Sequence, residues 1–583
     1  MTIVRRALPQ TPLSLAGVSP VLARVYAARG ISDAAELDHS LAALPDFTSF
    51  SNIGAAAERL AHAIAHAERV VIVADYDADG ATACAVGIRG LRAMGGNVTF
   101  VVPNRFEFGY GLTPEIVAVA AAMKPHLIVT VDNGIASVEG VAAAAAAGID
   151  VLITDHHLPG PAMPMPAIIV NPNQAGCRFP SKHVAGVGVM FYVLCALRAL
   201  LRRRGAFAGR MEPNLGGLLD LVALGTVADV VRLDHVNRIL VEQGVARIRR
   251  GLAQPGVAAL FAVAGRDIQC VRARDLGFVA GPRLNAAGRL TDMSLGIRCL
   301  LAETEREAEP LARELDRLNR ARREIEATMQ DEALNDVEQR IPADGASGFT
   351  VCVYREQWHQ GVIGIVASRL KDRYHRPVIV FARGADGELK GSGRSIPGFH
   401  LRDALDLVSK RAPRAIRRFG GHAFAAGLSI PDGTLEEFAS SFETVARERL
   451  TEAELRRVHE SDGTLAPGEL TLELSAALYE PVWGQGFPPP AFDDHFDVVE
   501  QRSVGDGHAR LTLMRGKERF AAIAFRTPLP VPARIHALFR PEVNRWNGLL
   551  GLELIIDYWT ASEPLPPLDA DVGRIDAAFC RSA

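Results

Sequence analysis

An α/β protein of several domains is predicted, and three observations predict it. Short β-branched runs end in acidic turn residues: Val70-Val71-Ile72-Val73-Ala74 before Asp75-Tyr76-Asp77-Ala78-Asp79-Gly80, Leu127-Ile128-Val129-Thr130-Val131 before Asp132-Asn133-Gly134, and Val151-Leu152-Ile153-Thr154 before Asp155-His156-His157. Such runs read as buried parallel strands. From about Gly54 to Val231 they alternate with Ala-rich stretches, which implies βαβ units and a parallel sheet. The C-terminal part instead carries short strands of alternating pattern, which suggest a small barrel or sandwich, with an OB-like fold as one candidate. A chain of 583 residues is also too long for one ordinary domain of roughly 100–200 residues.

In order, residues 1–51 read as a helical N-terminal segment without clear strands, and 52–300 as the parallel-sheet domain, to which Val98–Val102 and Ile168–Val170 add strands. Residues 301–342 read as a connecting helix, running roughly from Glu309 to Arg340 with Pro310 in its first turn. Leu311, Leu315, Leu318, Ile325 and Met329 fall on its helical period. Residues 343–460 form a smaller α/β domain. In it Val351–Tyr354 and Val378–Phe381 are strands around a helix from Gly364 to Tyr374, followed by glycine-rich turns. Residues 461–562 form the OB-like domain, with strands such as Arg510–Met514 and Leu552–Ile556 and turns at Pro488–Pro490 and Asn547-Gly548. A Pro-rich tail occupies 563–583.

Composition sets outer limits. A hydrophobic share of 48% and a charged share of 22% fit a soluble globular protein. Net charge is −3, so nucleic-acid binding is not advertised, although a local basic groove can sit on a neutral protein. The 7 cysteines are odd in number and never spaced Cys-x-x-Cys, which argues against zinc ribbons and a disulfide framework and favours a reducing compartment. No secretory apolar region is evident, and the Ala142–Ala147 run is too short to span a bilayer. The expectation is a cytoplasmic, monomeric enzyme without membrane association.

The acidic strand ends carry the chemistry. In open α/β sheets, sites form at the carboxyl edge of the strands. Asp75, Asp77 and Asp79 alternate, so they share a face of a continuing strand or fan around its tip. Asp132 and His156 come from neighbouring strand ends, and Gly225-Thr226-Val227-Ala228-Asp229 adds a carboxylate after another apolar run. Any one of these segments alone is an ordinary cap. Together they place several carboxylates in one crevice, where they repel unless cations lie between them. Asp and His without Cys suit Mn²⁺ or Mg²⁺ better than structural Zn²⁺. Two such ions can ionise a shared water that attacks phosphorus.

Several segments are suited to phosphate. Gly391-Ser392-Gly393-Arg394-Ser395 offers close-approaching N–H groups and a guanidinium. Gly420-Gly421-His422 adds a second close turn, preceded by Arg411, Arg414, Arg417 and Arg418. Arg105 stands in Pro103-Asn104-Arg105-Phe106, and Arg283 and Arg289 stand within the Gly-Pro-Asn loop Gly281–Arg289. Taken singly, the Gly-Ser turn is more commonly a surface turn with a solvated arginine and the lone histidine more commonly structural, while the Arg105 and Arg283–Arg289 loops are as often plain surface loops as not. Trp546, Phe525 and Phe520 are stacking candidates that equally fit a barrel core.

These segments resemble the DHH phosphoesterase superfamily, named for the motif standing here as Asp155-His156-His157. Asp-Tyr-Asp-Ala-Asp-Gly, Asp-Asn-Gly and Thr-Val-Ala-Asp follow in the family order, and Trp358–Gly364 with the Gly-Gly-His box looks like the associated DHHA1 domain. With a small β domain at the C-terminal end, the combination is similar to the single-strand-specific exonuclease branch. The resemblance implies Asp75, Asp77, Asp79, Asp132, His156 and Asp229 as metal ligands around one or two Mn²⁺ or Mg²⁺ ions. It implies His157 as a group touching a ligand or the substrate, with Asp155 orienting an imidazole. Related phosphatases begin the first motif with a histidine; Val73 stands at that place here, so Asp75 would substitute. The resemblance places Arg105, Arg283, Arg289, Ser392, Gly393, Arg394, Gly421 and His422 at the substrate. It implies 5′→3′ hydrolysis of single-stranded DNA in recombination and repair, with single-strand-binding protein or a helicase as partner. The rival readings are a superfamily enzyme acting on short oligonucleotides or cyclic dinucleotides, and a non-catalytic strand-binding scaffold.

Overall fold

A computed structural model describes residues 2–9, 13, 15–103, 111–340, 348–384, 387–505, 507–546 and 549–562. The chain divides into two compact units, one of residues 33–457 with 482–488, the other of residues up to 32 with 458–481 and the C-terminal segment from 489.

The larger unit begins with a wholly parallel five-stranded sheet in the order Asn97–Val101, Arg69–Ala74, Leu127–Val131, Asp150–Thr154, Ile168–Val170. The chain reverses its direction of build between Arg69–Ala74 and Leu127–Val131, which makes that gap the topological switch point. Alternate residues face opposite layers. Val71, Val73, Ile128 and Ile153 pack with Ile116, Val117, Val141 and Ala144 of helices Pro114–Ala121 and Val138–Ala146. Ile72 turns the other way, toward helices Ala78–Ala93 and Gly186–Arg203. This period of two is the pleat itself.

Beyond Arg203 the expected strands give way to helices. Gly225–Asp229 is not a strand end: Asp229 caps the C-terminal end of helix Leu219–Ala228. Every residue from Leu219 to Thr226 is buried, Asp220 included, so this helix has no exposed polar face whose period could betray it. The segment read as a Gly-Pro-Asn loop is likewise helix Gly281–Leu290. The connecting helix is Glu305–Arg340, starting about a turn earlier than expected, so that Pro310 lies inside it. The second sheet runs Arg418–Gly421, Ala425–Ile430, Leu389–Arg394, Val378–Arg383, Val351–Tyr354, and only the last pair is parallel. Ser392, Gly393, Arg394 and Gly421, expected in turns, therefore lie on strands, with Gly427 opposite both Gly420 and Ser392.

The smaller unit holds a closed barrel of Phe492–Val504, His508–Arg515, Glu518–Ala524, Leu549–Ala561 and Arg534–Trp546, joined in that order. Five strands closed this way are the OB architecture. Phe520 belongs to the barrel core, edge-on to Phe496, whereas Phe525 is exposed. The N-terminal segment is not wholly helical. Thr2–Arg5 is a strand paired in parallel with Val458–Ser461, too short and too exposed to show an alternating pattern. Arg5 bonds Asp493 and Arg29 bonds Asp462, both through two nitrogens. Among the described residues, no helix is long and apolar enough to cross a membrane.

Candidate metal centre

Each strand of the switch point extends its ladder one residue into an acid. Asp75 donates its N–H to Val131 O, Asp132 to Thr154 O, and Asp155 to Val170 O. The carboxylates thus leave the sheet at one edge. Asp132 turns with φ 62°, a left-handed conformation that Asp and Asn tolerate best. Asn133 secures that turn by donating to Val73 O and Val131 O. Asp77 caps helix Ala78–Ala93, accepting from Gly80 N–H at 3.0 Å. Asp79, in the first turn of that helix, accepts from Gly186 N–H at 2.7 Å and Val187 N–H at 3.0 Å, the first donors of helix Gly186–Arg203. Asn285 holds the loop between Asp75 and the helix by accepting from Ala78 N–H.

His156 Nε2 lies 3.1 Å from Asp132 Oδ1, 3.4 Å from Asp229 Oδ2 and 3.9 Å from Asp79 Oδ2. Three sets of donor atoms lie within 4.8 Å of one another: Asp132 with His156 and His157, Asp79 with His156 and Asp229, and Asp75 with Asp77 and Asp132. Asp132 is common to two sets and His156 to two, so the sets are adjoining. Asp155 is buried beneath them. Its carboxylate accepts from the N–H groups of Ile135, His156 and His157 and from His157 Nδ1 at 2.8 Å.

The charges are strongly coupled. Burial, then the charge of Asp77, pushes Asp79 up to about 7. Burial and the neighbouring Asp79 and Asp77 hold Asp132 and Asp229 well above the usual carboxylate range. Burial, then the His157 charge, pushes His156 down to about 4, leaving a neutral imidazole with a lone pair. Burial also opposes the His157 charge, but the Asp155 hydrogen bond and charge outweigh it and raise His157 to about 9. His156 Nε2 is buried and makes no hydrogen bond, since it points between carboxylate oxygens. A cluster of oxygen donors with one neutral imidazole and no thiol fits a hard divalent cation such as Mn²⁺ or Mg²⁺.

The phosphate candidates separate. Arg394 donates to Gly393 O at 2.7 Å and to Ser392 Oγ at 3.3 Å. It has no carboxylate within ion-pair distance among the described residues, and burial lowers its pKa. Its Nη2 approaches the start of helix Ile363–Tyr374, at Gly364. His422 follows the Gly420-Gly421 strand end and lies near enough to His157 for their charges to repel. Arg283 is engaged by Asp316 at 2.9 Å and Val279 O at 2.6 Å. Arg289 donates to Gly361 O at 3.1 Å, joining the first-sheet domain to the second. Arg105 lies outside the described residues. Sequence reasoning missed the Gly186-Val187 donors, Asn133, Asn285 and Gly225. The signal for the first was available, in a Gly-Val-Gly opening of a long apolar helix.

An acid-rich carboxyl edge at the switch point of a parallel sheet, followed by a long helix and a second α/β sheet, defines a DHH-type phosphoesterase. The DHH family N-terminal domain matches residues 69–226, the DHHA1 domain 347–448 and the RecJ OB domain 461–558. The chain belongs to the RecJ family. It is 49% identical over 549 residues to the single-stranded-DNA-specific exonuclease RecJ of Dickeya dadantii, covering 92% of this chain and 95% of that one. It is 46% identical over 564 residues to the Escherichia coli protein of that name, covering 95% and 98%. The Mn²⁺ complex of RecJ from Thermus thermophilus superposes with a TM-score of 0.79 at 30% identity, covering 94% of this chain and 77% of that one. The corresponding Mg²⁺ complex gives 0.74 at 29%.

Proposed function

We propose that this chain is a metal-dependent exonuclease that hydrolyses single-stranded DNA from its 5′ end, one of the enzymes of DNA recombination and repair in the cytoplasm. The observation that carries the reading is the set of adjoining donor groups sharing Asp132 and His156, in a chain of the RecJ family. Asp75, Asp77, Asp79, Asp132, His156 and Asp229 would hold the metal, two ions in this reading, and Asp132 belongs to two of the donor sets. When bound, such ions ionise a water for attack on phosphorus and offset charge on the leaving oxygen.

The protein supplies the rest. Backbone N–H groups hold Asp79 in a single orientation, so its lone pairs are aimed before any ion arrives. Asp155 keeps His157 protonated, which places a cationic donor beside the cluster to grip a phosphate oxygen. Ser392, Gly393, Arg394, Gly421 and His422 supply donors and close approach from the second sheet. Arg289 steadies the join between the two domains rather than adding a free charge. The OB barrel would track the strand by stacking and charge.

The test is to incubate full-length protein and Mn²⁺ with long single strands labelled at either end, with duplexes and with dinucleotides. Release of the 5′ label from single strands, with duplexes spared, is expected. Preferential turnover of dinucleotides would move the chain to the small-substrate enzymes of the superfamily. Strand binding without release of label would leave a scaffold.

A further inference from the structure

The strap Val482–Pro488 leaves the sequence of the barrel unit, packs within the larger unit, and returns at residue 489. It is a tight turn, in which Gly484 and Phe487 exchange N–H···O bonds of 2.9 and 3.1 Å. Gly486 has φ 70°, which leaves room for Arg232 where a Cβ would stand. Trp483 stacks on Phe487 at 5.1 Å and 16°.

The strap grips one loop, the one that follows Asp229. Gln485 O accepts from Leu233 N–H at 2.7 Å. The buried Phe487 ring lies under the Arg238 guanidinium at 4.4 Å. Arg238 is itself buried and donates back to Leu233 O at 3.0 Å and to Glu36 O at 3.1 Å. Asn237 closes the same loop by donating to Arg232 O. Thus residues 232 and 233 are fixed from both sides.

Between that fixed point and Asp229 stands Val230, with φ 62°. A β-branched residue in the left-handed region is a genuine outlier, held only where its surroundings over-determine it. Val230 is exposed, and on its N-terminal side its N–H closes the helix end on Val227 O at 3.3 Å. On its C-terminal side the restraint comes along the backbone from the gripped Arg232-Leu233 pair.

We propose that the strap is a clamp that sets the position of Asp229, with Phe487 as the positioning residue, and so sets the affinity of the metal centre. The inference rests on the reading of Asp229 as a ligand. Releasing the clamp lets Val230 relax and draws the carboxylate off its place.

The test is Mn²⁺ titration calorimetry on metal-free full-length protein, with circular dichroism melts for the fold. Phe487→Ala should weaken Mn²⁺ binding by about tenfold or more, the range found when a group supporting a ligand is lost. Phe487→Tyr, which keeps the ring under Arg238, should bind as the parent does. Val230→Gly makes the left-handed turn costless, so in that background Phe487→Ala should no longer matter. If Phe487→Ala does not fold, Phe487→Leu decides in the same way, because it fills the space without the cation–π contact. Parental Mn²⁺ affinity in the folded Ala or Leu variant would overturn the clamp, as would a Tyr variant as weak as Ala. Asp229→Ala separates the two claims. Unchanged affinity there removes the ligand reading, whereas a loss there with none at Phe487 removes only the clamp.

Discussion

Gly225 and Asp79 meet face to face: a Cβ on Gly225 would stand 2.8 Å from Asp79 Oδ1 and would also strike Thr82 Oγ1. Helix Leu219–Ala228 can approach the metal centre this closely only because position 225 has no side chain. Gly225→Ala should therefore turn Asp79 off its two backbone donors, lowering kcat/KM and Mn²⁺ affinity by about ten- to a hundredfold. Gly54→Ala is the control, since Gly54 faces open space at the start of helix Ile53–Ala65. Equal activity in the two variants would mean that the helix shifts to absorb the methyl group.

Removing metal should cost stability as well as activity. Asp79 and Asp132 are buried with the half-buried Asp229 beside them, and the charges of Asp79 and Asp77 help to raise both Asp132 and Asp229. Without a cation, that repulsion opposes folding. Asp132→Asn keeps the left-handed turn but removes a charge at the shared position. Its metal-free form should melt above the metal-free parent, and Mn²⁺ should raise its Tm far less. Hydrolysis should fall by roughly a thousandfold or more, since a bound ion contributes several kcal/mol to the transition state. A melting curve of the variant that Mn²⁺ raises as much as the parent's would contradict this.

The parallel sheet, the second α/β domain and the barrel were legible because their strands are short β-branched or alternating runs with turn residues between them. The acids at three strand ends were legible for the same reason. Asp229 was recognised as a carboxylate but placed on a strand, because a helix buried on every side has no polar face to mark its period. The glycine-rich stretches at 391–394 and 420–421 read as turns, yet they pair with each other's neighbour as strands. Glycine lowers strand propensity, and only the tertiary pairing overrides it. Contacts such as Gly225 on Asp79, or Leu233 on the 482–488 strap, join residues far apart in the chain and leave no local pattern.

Arg283 and Arg289, alike in sequence, should differ in effect. Arg283 is tied to Asp316 in the long helix, whose carboxylate also holds Arg320. Arg283→Ala leaves Asp316 buried with one partner fewer and should cost about 3 kcal/mol of stability, with KM for single strands unchanged. Arg289→Ala loosens the bond to Gly361 between domains and should raise KM while leaving the Tm within a few degrees. Thermal melts and steady-state kinetics on both variants check the pair.

The barrel unit should carry an acid-sensitive tie. Asp493 is buried, which by itself raises its pKa, but hydrogen bonds from Arg5, Ser461 and His536 outweigh this and hold it at about 2 against 3.8 for the free group. A depressed carboxylate adds stability that is complete above the unfolded value and is lost as pH falls toward the folded one. The contribution should be whole at pH 6 and roughly half gone by pH 3. Asp493→Asn should melt below the parent at pH 6, and the gap should narrow steadily as pH falls from about 5 to 3. A gap independent of pH would show that the charge of Asp493 is not what ties the N-terminal strand to the barrel.

An exonuclease has to sense an end, and a terminal phosphate carries more negative charge than an internal one. On the proposed function, Arg394 is the candidate to read that difference. It is half-buried on the strand Leu389–Arg394, its hydrogen-bond partners among the described residues are a carbonyl and a hydroxyl, and its guanidinium reaches the start of a helix where N–H groups are unpaired by the helix itself. A half-buried arginine without a carboxylate favours an anion, and each charge-assisted hydrogen bond to one contributes roughly 1.5–3 kcal/mol. Arg394→Ala should accordingly lower kcat/KM on 5′-phosphorylated strands by about tenfold or more, and much less on strands ending in a 5′ hydroxyl. Arg394→Lys should recover only part of the loss, because an ammonium cannot grip two oxygens in one plane. Parent and variants have to be compared at one salt concentration, since phosphate contacts weaken as salt rises. Equal losses on the two ends would assign Arg394 to general strand binding or to the fold, and degradation beginning at the 3′ end in the parent would reverse the polarity itself.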